Sequence, residues 1–177
     1  MLEASGTSIT RIARPLVIDP QRRSWGIHGA DAETIDSRFR YVLKQIPGKV
    51  RSRDDALSSG LNCIALAHLV IADVFGYRLP AELQCVELAL DEIDFEEVSS
   101  TDELLPGDLI WFGTNATVID LKDFVPRYAN GELLNFDEFP INHVGIATGE
   151  QEQGDPLVLH ASPVDGTNAI WPLGRFC

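Results

Sequence analysis

The chain has 177 residues, of which 45% are hydrophobic and 23% charged, a composition typical of a globular protein and not of a disordered one. Its length predicts one domain, residues 1–177. The net charge of −13 argues against nucleic acid and anionic membrane surfaces as ligands, because both attract basic surfaces.

No stretch of the sequence reaches the roughly 18 apolar residues of a membrane span, and the N-terminus lacks the charged and apolar regions of a secretory signal. We therefore expect a soluble, cytoplasmic protein, with secretion left open. The three cysteines, Cys63, Cys85 and Cys177, fit neither a disulfide framework nor paired zinc-ligand spacing. No metal and no cofactor is predicted.

The first 50 residues are predicted to form an arm and a helix. Residues 9–18 favour an edge strand or extended arm, because Pro15 interrupts a β-prone run. Asp31 is a candidate N-cap for an amphipathic helix that ends at Pro47-Gly48 and packs on the core through apolar positions at helical spacing: Ile35, Phe39, Val42 or Leu43, and Ile46.

Residues 62–75 are apolar nearly all round, which predicts a helix buried inside the protein, with Asn62 as its N-cap. Cys63 lies in the first turn. Unpaired backbone N–H groups and the helix dipole favour an anion there, so we expect a lowered thiol pKa. The alternative is a buried, inert cysteine, the usual fate of a free thiol.

The second half of the chain changes character. A helix is predicted over residues 81–92, followed by strands over residues 108–112, 143–148, 156–161 and 168–171. Helices followed by successive short strands predict an α+β fold with an antiparallel sheet. The insertion at residues 114–140 is interpreted either as a lid that walls a cleft or as decoration or a dimer contact.

Two of the four histidines are predicted to meet. If residues 149–155 form a hairpin loop, paired residue numbers sum to about 304, so His143 lies opposite about residue 161 and His160 is its near neighbour across the ladder. The two imidazoles are therefore predicted to stand side by side. His68 is separated from Cys63 by a rotation of about 140° along the helix and is therefore not predicted to be its base. His28 receives no role.

A thiol nucleophile requires a base and a third group that orients the base, and Cys63, His143 and His160 supply these three types. A zinc site built from the same three residues and a structural histidine pair remain as alternatives. Zinc hydrolysis also requires a carboxylate base, and no motif in the sequence supports one.

Four motifs, in order, resemble the NlpC/P60 family of papain-like cysteine peptidases. They are Asn62-Cys63-Ile64-Ala65-Leu66 with the helix that follows, Leu105-Pro106-Gly107-Asp108-Leu109-Ile110-Trp111-Phe112, Asn142-His143-Val144-Gly145-Ile146-Ala147, and Val158-Leu159-His160-Ala161-Ser162. The resemblance covers roughly residues 55–173. It implies a papain-like fold, with the nucleophile on a helix packed against an antiparallel sheet that carries the base and its orienting residue.

The resemblance also implies a cysteine peptidase or amidase that cleaves a peptide or amide bond, with cell-wall (peptidoglycan) peptides as the typical substrates. Three positions depart from the family pattern, because Asn62, Ile64 and Ala65 replace its Asp, Ser and Gly. In addition, no aromatic residue near Ser52 matches the oxyanion-site tyrosine of the family. The alternatives are an acyltransferase or transglutaminase-like enzyme on the same fold and a catalytically silent binding module.

Overall fold

A computed structural model describes residues 7–16, 39–43, 50–75, 78, 94–114 and 143–176. The predicted helix at 81–92, the insertion at 114–140 except for its first residue, Cys85, Cys177 and His28 lie outside these residues. The described helices are α1 (Arg53–Ser59) and α2 (Cys63–Phe75), and the strands are β1 (Thr7–Pro15), β2 (Phe95–Glu97), β3 (Leu109–Thr114), β4 (His143–Glu152), β5 (Asp155–Ser162) and β6 (Thr167–Pro172).

The strands form one antiparallel sheet in the order β2-β1-β3-β4-β5-β6, so the predicted α+β class is confirmed. The four strands predicted in the second half are all present. The edge position predicted for the first strand is wrong, because the short strand β2 pairs along the outer side of β1. None of the described helices combines the length and apolar character that crossing a lipid bilayer requires.

Alternation along the strands divides the sheet into two buried faces. Helix α2 packs on the first face, which we call the helix face, through the side chains of Leu109, Trp111, Val144, Ile146, Leu159 and Ala161. A second core lies on the other face, which we call the aromatic face, and includes Ile12, Ile110, Phe112, Ala147, Val158 and Leu173. The two faces therefore present different chemistry to the residues around them.

Helix α2 begins and runs as the sequence predicts. Asn62 caps it, because its Oδ1 accepts a hydrogen bond from the backbone N–H of Ala65 at 2.9 Å. The side chains from Ala65 to Ile71 are all buried, as expected for a helix that is apolar all round. The preceding helix α1 was not predicted; Ser52 caps it by accepting from the N–H of Asp55.

The helix predicted over residues 31–46 is wrong for the part that the structure describes. Arg40 forms an antiparallel bridge with Thr167, and Tyr41 forms a parallel bridge with Leu61. Phe39 is nonetheless fully buried in the helix-face core, so its predicted contribution to the core is correct. Long-range pairing with the sheet and with the approach to α2 overrides the local helical spacing here.

A buried ion pair fixes the turn before β3. The Asp108 carboxylate is fully buried and accepts two hydrogen bonds from the Arg14 guanidinium, at 2.9 and 3.0 Å, and one from the Leu105 backbone N–H, at 2.8 Å. This pairing satisfies the carboxylate inside the protein. It connects β1 to the Pro-Gly-Asp turn that leads into the centre of the sheet.

Candidate active site

The two histidines singled out from the sequence are in direct contact. His143 is the first residue of β4 and His160 lies in β5, and His143 Nε2 is 3.0 Å from His160 Nδ1. Their rings meet edge to face with centroids 5.0 Å apart. The prediction that the hairpin brings these imidazoles side by side is therefore confirmed.

The hairpin register differs by one residue from the predicted one, and the observed register is the one that puts both histidines on the same face. Ile146 pairs with Leu159, so paired numbers sum to 305 near the histidines, and a register shift between Ala147 and Gln151 raises the sum to 307 at the turn. The strands run further than predicted, and the residues with positive φ at the turn are Gln153 and Gly154. His160 thus lies diagonally from His143 across the ladder, within reach of an imidazole.

Gly145 leaves room for Val158 and Phe112 on the face that carries the imidazole pair. It occupies the same face as His143 in β4, and a Cβ atom there would collide with Cγ1 of Val158 and approach Phe112. Val158 and His160 share that face of β5. The close approach of the two strands therefore depends on the missing side chain at residue 145.

Burial keeps both imidazoles neutral. Desolvation lowers the pKa of His143 to about 4. The pKa of His160 is lowered to about 3, mainly by burial and further by the charges of His143 and Arg175, while Asp165 opposes the shift. At neutral pH the pair therefore shares one hydrogen bond between two uncharged rings.

Cys63 opens α2 on the helix face, whereas the imidazoles project from the aromatic face. Cys63 as a whole residue is partly exposed, but its thiol is buried at the start of β4, where the backbone N–H of Val144, the residue after His143, is placed to hydrogen-bond a thiolate. Among the described residues, no hydrogen bond joins Sγ to either imidazole. The structure thus brings the two histidines together and leaves the thiol beside the backbone of β4.

The predicted lowering of the thiol pKa is wrong in direction. Burial raises the pKa of Cys63 above its ordinary value, and the backbone N–H groups of Val144, Ile64 and Cys63 only partly oppose the shift. Desolvation outweighs the helix N-terminus because the thiolate would lie against the apolar core of the helix face. At neutral pH the cysteine is a thiol.

Tyr41 is a neighbour of the thiol that the sequence did not reveal. Its pKa is raised by burial and by the nearby Cys63, which places the phenol within electrostatic range of the sulfur. Backbone hydrogen bonds hold this segment in place: Leu61 N–H donates to Arg40 at 2.8 Å, and Tyr41 N–H donates to Gly166 at 2.8 Å. The signal was not local, because Tyr41 lies 22 positions before Cys63 in the sequence.

Aromatic rings enclose the imidazole pair on its own face. Trp171 of β6 contacts His160 with ring centroids 4.4 Å apart, and Phe176 contacts both His160 and His143, at 4.7 and 6.0 Å. His68 is elsewhere, buried on α2 with an Nε2 atom that has no hydrogen-bond partner among the described residues. This agrees with the prediction that it is not the base.

Within the described ranges, no group of three or more His, Cys, Asp or Glu side chains is arranged to hold a metal ion. The chain matches no protein-family model, no curated protein and no solved structure. The chemistry of the site is therefore argued from its geometry and from the sequence motifs.

Proposed function

We propose that this protein is a cysteine hydrolase that cleaves a peptide or amide bond, with Cys63 as nucleophile, His143 as base and His160 as the residue that orients the base. The observation that carries the proposal is the 3.0 Å contact between the two imidazoles at the strand end that the Cys63 thiol also reaches. A papain-like fold of the NlpC/P60 type, with cell-wall peptides as substrates, is part of the same proposal and rests on the four sequence motifs.

The proton positions follow from the imidazole contact. His143 uses Nε2 toward His160, so Nδ1 is the nitrogen left for the thiol. Because the imidazoles project from the aromatic face, the proposal requires Nδ1 and Sγ to approach each other round the end of β4, where His143 is the first residue. For Nδ1 to accept a proton, Nε2 must carry the hydrogen and donate it to Nδ1 of His160. His160 then acts as acceptor and holds the ring of the base in the required tautomer.

The reaction begins from a neutral pair. Since burial raises the thiol pKa and lowers that of His143, the proton moves from Sγ to Nδ1 as the sulfur attacks the carbonyl carbon. The C–N bond then breaks, His143 returns the proton to the leaving amine, and a thioester remains on Cys63. Water attacks the thioester with His143 again accepting a proton, which releases the acid and restores the thiol.

The oxyanion requires hydrogen-bond donors. The backbone N–H of Cys63 is one, as at other helix N-termini. We propose the Tyr41 phenol as the second, because it is the hydroxyl that the structure holds within electrostatic range of the sulfur. Tyr41 would take the place of the oxyanion-site aromatic residue of the NlpC/P60 pattern, which has no match near Ser52.

The test compares four single variants in a mass-spectrometric screen for cleavage of cell-wall peptides and simple amides. Cys63→Ala and His143→Ala are expected to abolish cleavage, and Tyr41→Phe to lower kcat by about 10²-fold, the usual effect of losing one oxyanion donor. Cys85→Ala is the matched thiol control and should retain activity. Equal activity of the Cys63 and Cys85 variants would remove the assignment.

One observation favours a second candidate, a binding module that has kept the scaffold without catalysis. The thiol pKa is raised and Sγ makes no hydrogen bond with an imidazole among the described residues. A binding module would take up a peptide with the same affinity whether residue 63 is Cys or Ala, and it would form no thioester. Trapping of an acyl group on Cys63 by mass spectrometry distinguishes the two functions.

A further inference from the structure

Phe176 lies at the centre of a cluster of rings on the aromatic face, which also includes Phe112, Trp171, His143 and His160. Its ring stacks on Phe112, with centroids 4.4 Å apart and an interplanar angle of 12°, and it meets Trp171 at 5.4 Å. The same ring contacts both imidazoles of the candidate site. It therefore touches the other four members of the cluster.

The backbone around Phe176 is tied down by specific hydrogen bonds. A short 3-10 helix, Leu173–Arg175, follows β6, and the N–H of Phe176 donates to the carbonyl of Leu173 at 3.0 Å. The N–H of Gly174 donates to the Asp155 carboxylate at 2.9 Å, which joins the turn to the start of β5. These bonds give the Phe176 ring a defined place over the imidazoles.

We propose that Phe176 is a positioning residue of the active site, which, together with Trp171, keeps the hydrogen bond between His143 and His160 aligned and free of water. This role deepens the proposed function and rests on it. It also assigns the C-terminal turn to the active site, although the motifs that suggested the catalytic residues end well before residue 176.

His160 is held by a hydrogen bond on one side of its ring and by aromatic packing elsewhere. Its Nδ1 meets His143, and its Nε2 is buried with no hydrogen-bond partner among the described residues. Polar contacts therefore fix only one side of the ring. The remaining orientation comes from packing, with the ring held edge to face against Trp171 at 65° and against Phe176 at 69°.

Removing the ring of Phe176 or Trp171 would open a cavity beside the His160 imidazole. A cavity beside the unpaired Nε2 is polar on one side and suits a water molecule, which would satisfy the nitrogen and let the ring turn. The imidazole contact would then compete with water. Because burial holds both histidines neutral, admitting water also lets them accept protons at higher pH.

Desolvation lowers the pKa of His160 more than the nearby charged groups change it. Asp165 lies in the turn between β5 and β6 and accepts a hydrogen bond from the Trp171 indole at 3.1 Å, while the Arg175 guanidinium stacks 3.6 Å above that indole. Their effects on the His160 pKa are opposite in sign, Asp165 raising and Arg175 lowering it. In the part of the chain that the structure describes, His143 is the third titratable group that acts on His160, and loss of the aromatic cover is expected to outweigh these charges.

The test is a pH titration of the histidine ring carbons and nitrogens by NMR, read on the full chain. Phe176→Ala is expected to move the titrations of His143 and His160 upward by about one pH unit or more, toward the ordinary histidine range. Phe176→Leu keeps part of the apolar cover but removes the ring, so it should move both titrations upward by a smaller but measurable amount. It also serves as the second variant if Phe176→Ala does not fold, with a smaller upward shift expected.

Ile12→Ala is the matched control, since Ile12 belongs to the same core but has no ring contact with the imidazoles. It should leave both titrations in place despite a loss of stability. The proposal is overturned if the Phe176 variants titrate as wild type, or if Ile12→Ala produces the same shift. The titration needs no turnover, so the positioning role and the proposed hydrolysis fail by separate observations.

Discussion

The buried histidine on α2 makes a testable prediction for stability in acid. The His68 side chain is 6% exposed, its Nε2 has no described partner, and burial lowers its pKa to about 4. The unfolded chain takes up a proton near pH 6.5, whereas the folded chain takes it up only near pH 4. Stability is therefore complete above pH 6.5, falls as the pH drops below it, and stops falling below about pH 4.

The size of the effect follows from these two pKa values. Between pH 7 and pH 5 the linkage relation gives a loss of about 2 kcal/mol for this one side chain. A small domain is stable by only about 5–15 kcal/mol, so the loss is measurable by urea unfolding. His68→Met, which has a similar volume and does not titrate, is expected to reduce the difference between the two pH values by about that amount.

Unfolding at pH 8, where both His68 and its replacement are uncharged, isolates any packing effect of the substitution. The difference between pH 7 and pH 5 then reports the proton alone. If His68→Met and wild type lose equal stability between those two pH values, the claim that the imidazole is buried and neutral is refuted. His143 and His160 add their own acid sensitivity, which the variant leaves in place.

Three further predictions concern the ion pair, the strand contact and the thiol. Arg14→Met leaves the buried Asp108 carboxylate without its cation and should lower the free energy of unfolding by about 3–5 kcal/mol. The double variant Arg14→Met/Asp108→Leu should recover part of that loss. A loss below about 1 kcal/mol in Arg14→Met would contradict the buried ion pair. Gly145→Ala should lower the stability by about 1–3 kcal/mol in thermal unfolding, because the added Cβ collides with Val158. Adding Val158→Ala to Gly145→Ala should relieve this collision, so the double variant should lose less than the sum of the two single losses. Additive losses would argue against the collision. Cys63 alkylation by iodoacetamide should rise with pH to a midpoint above the ordinary thiol value of about 8.5, and a midpoint near 7 would be inconsistent with desolvation.

Strand alternation made the central part of the site predictable. The face that each histidine shares with its strand neighbours follows from a period of two, whereas the face that the two histidines share with each other depends on the pairing sum of 305, because a shift of one residue would put them on opposite faces. The N-cap of α2 was equally predictable, because the polar residue Asn62 comes immediately before an apolar run. Both features depend on neighbours that are close in sequence.

Features that depend on distant partners were not predictable in the same way. Tyr41 has helical spacing around it, but the backbone at residues 40 and 41 pairs with Thr167 and Leu61 instead. The rise in the Cys63 pKa comes from the packed surroundings of the thiol, which the local sequence does not reveal. Phe176 reaches the imidazoles only because the turn after β6 folds back over the sheet.

The register shift in β4 divides the hairpin into two parts with different tolerances. The side chains from Val144 to Thr148 are buried, whereas those from Gly149 to Gly154 are exposed, and a Cβ atom at Gly154 would meet nothing within 4 Å. The outer part therefore extends beyond the sheet core. A fluorophore attached through the exposed side chain at residue 153 would project into solvent, whereas Gly154 must keep its positive φ; this offers a site for surface immobilisation that leaves the imidazole contact undisturbed.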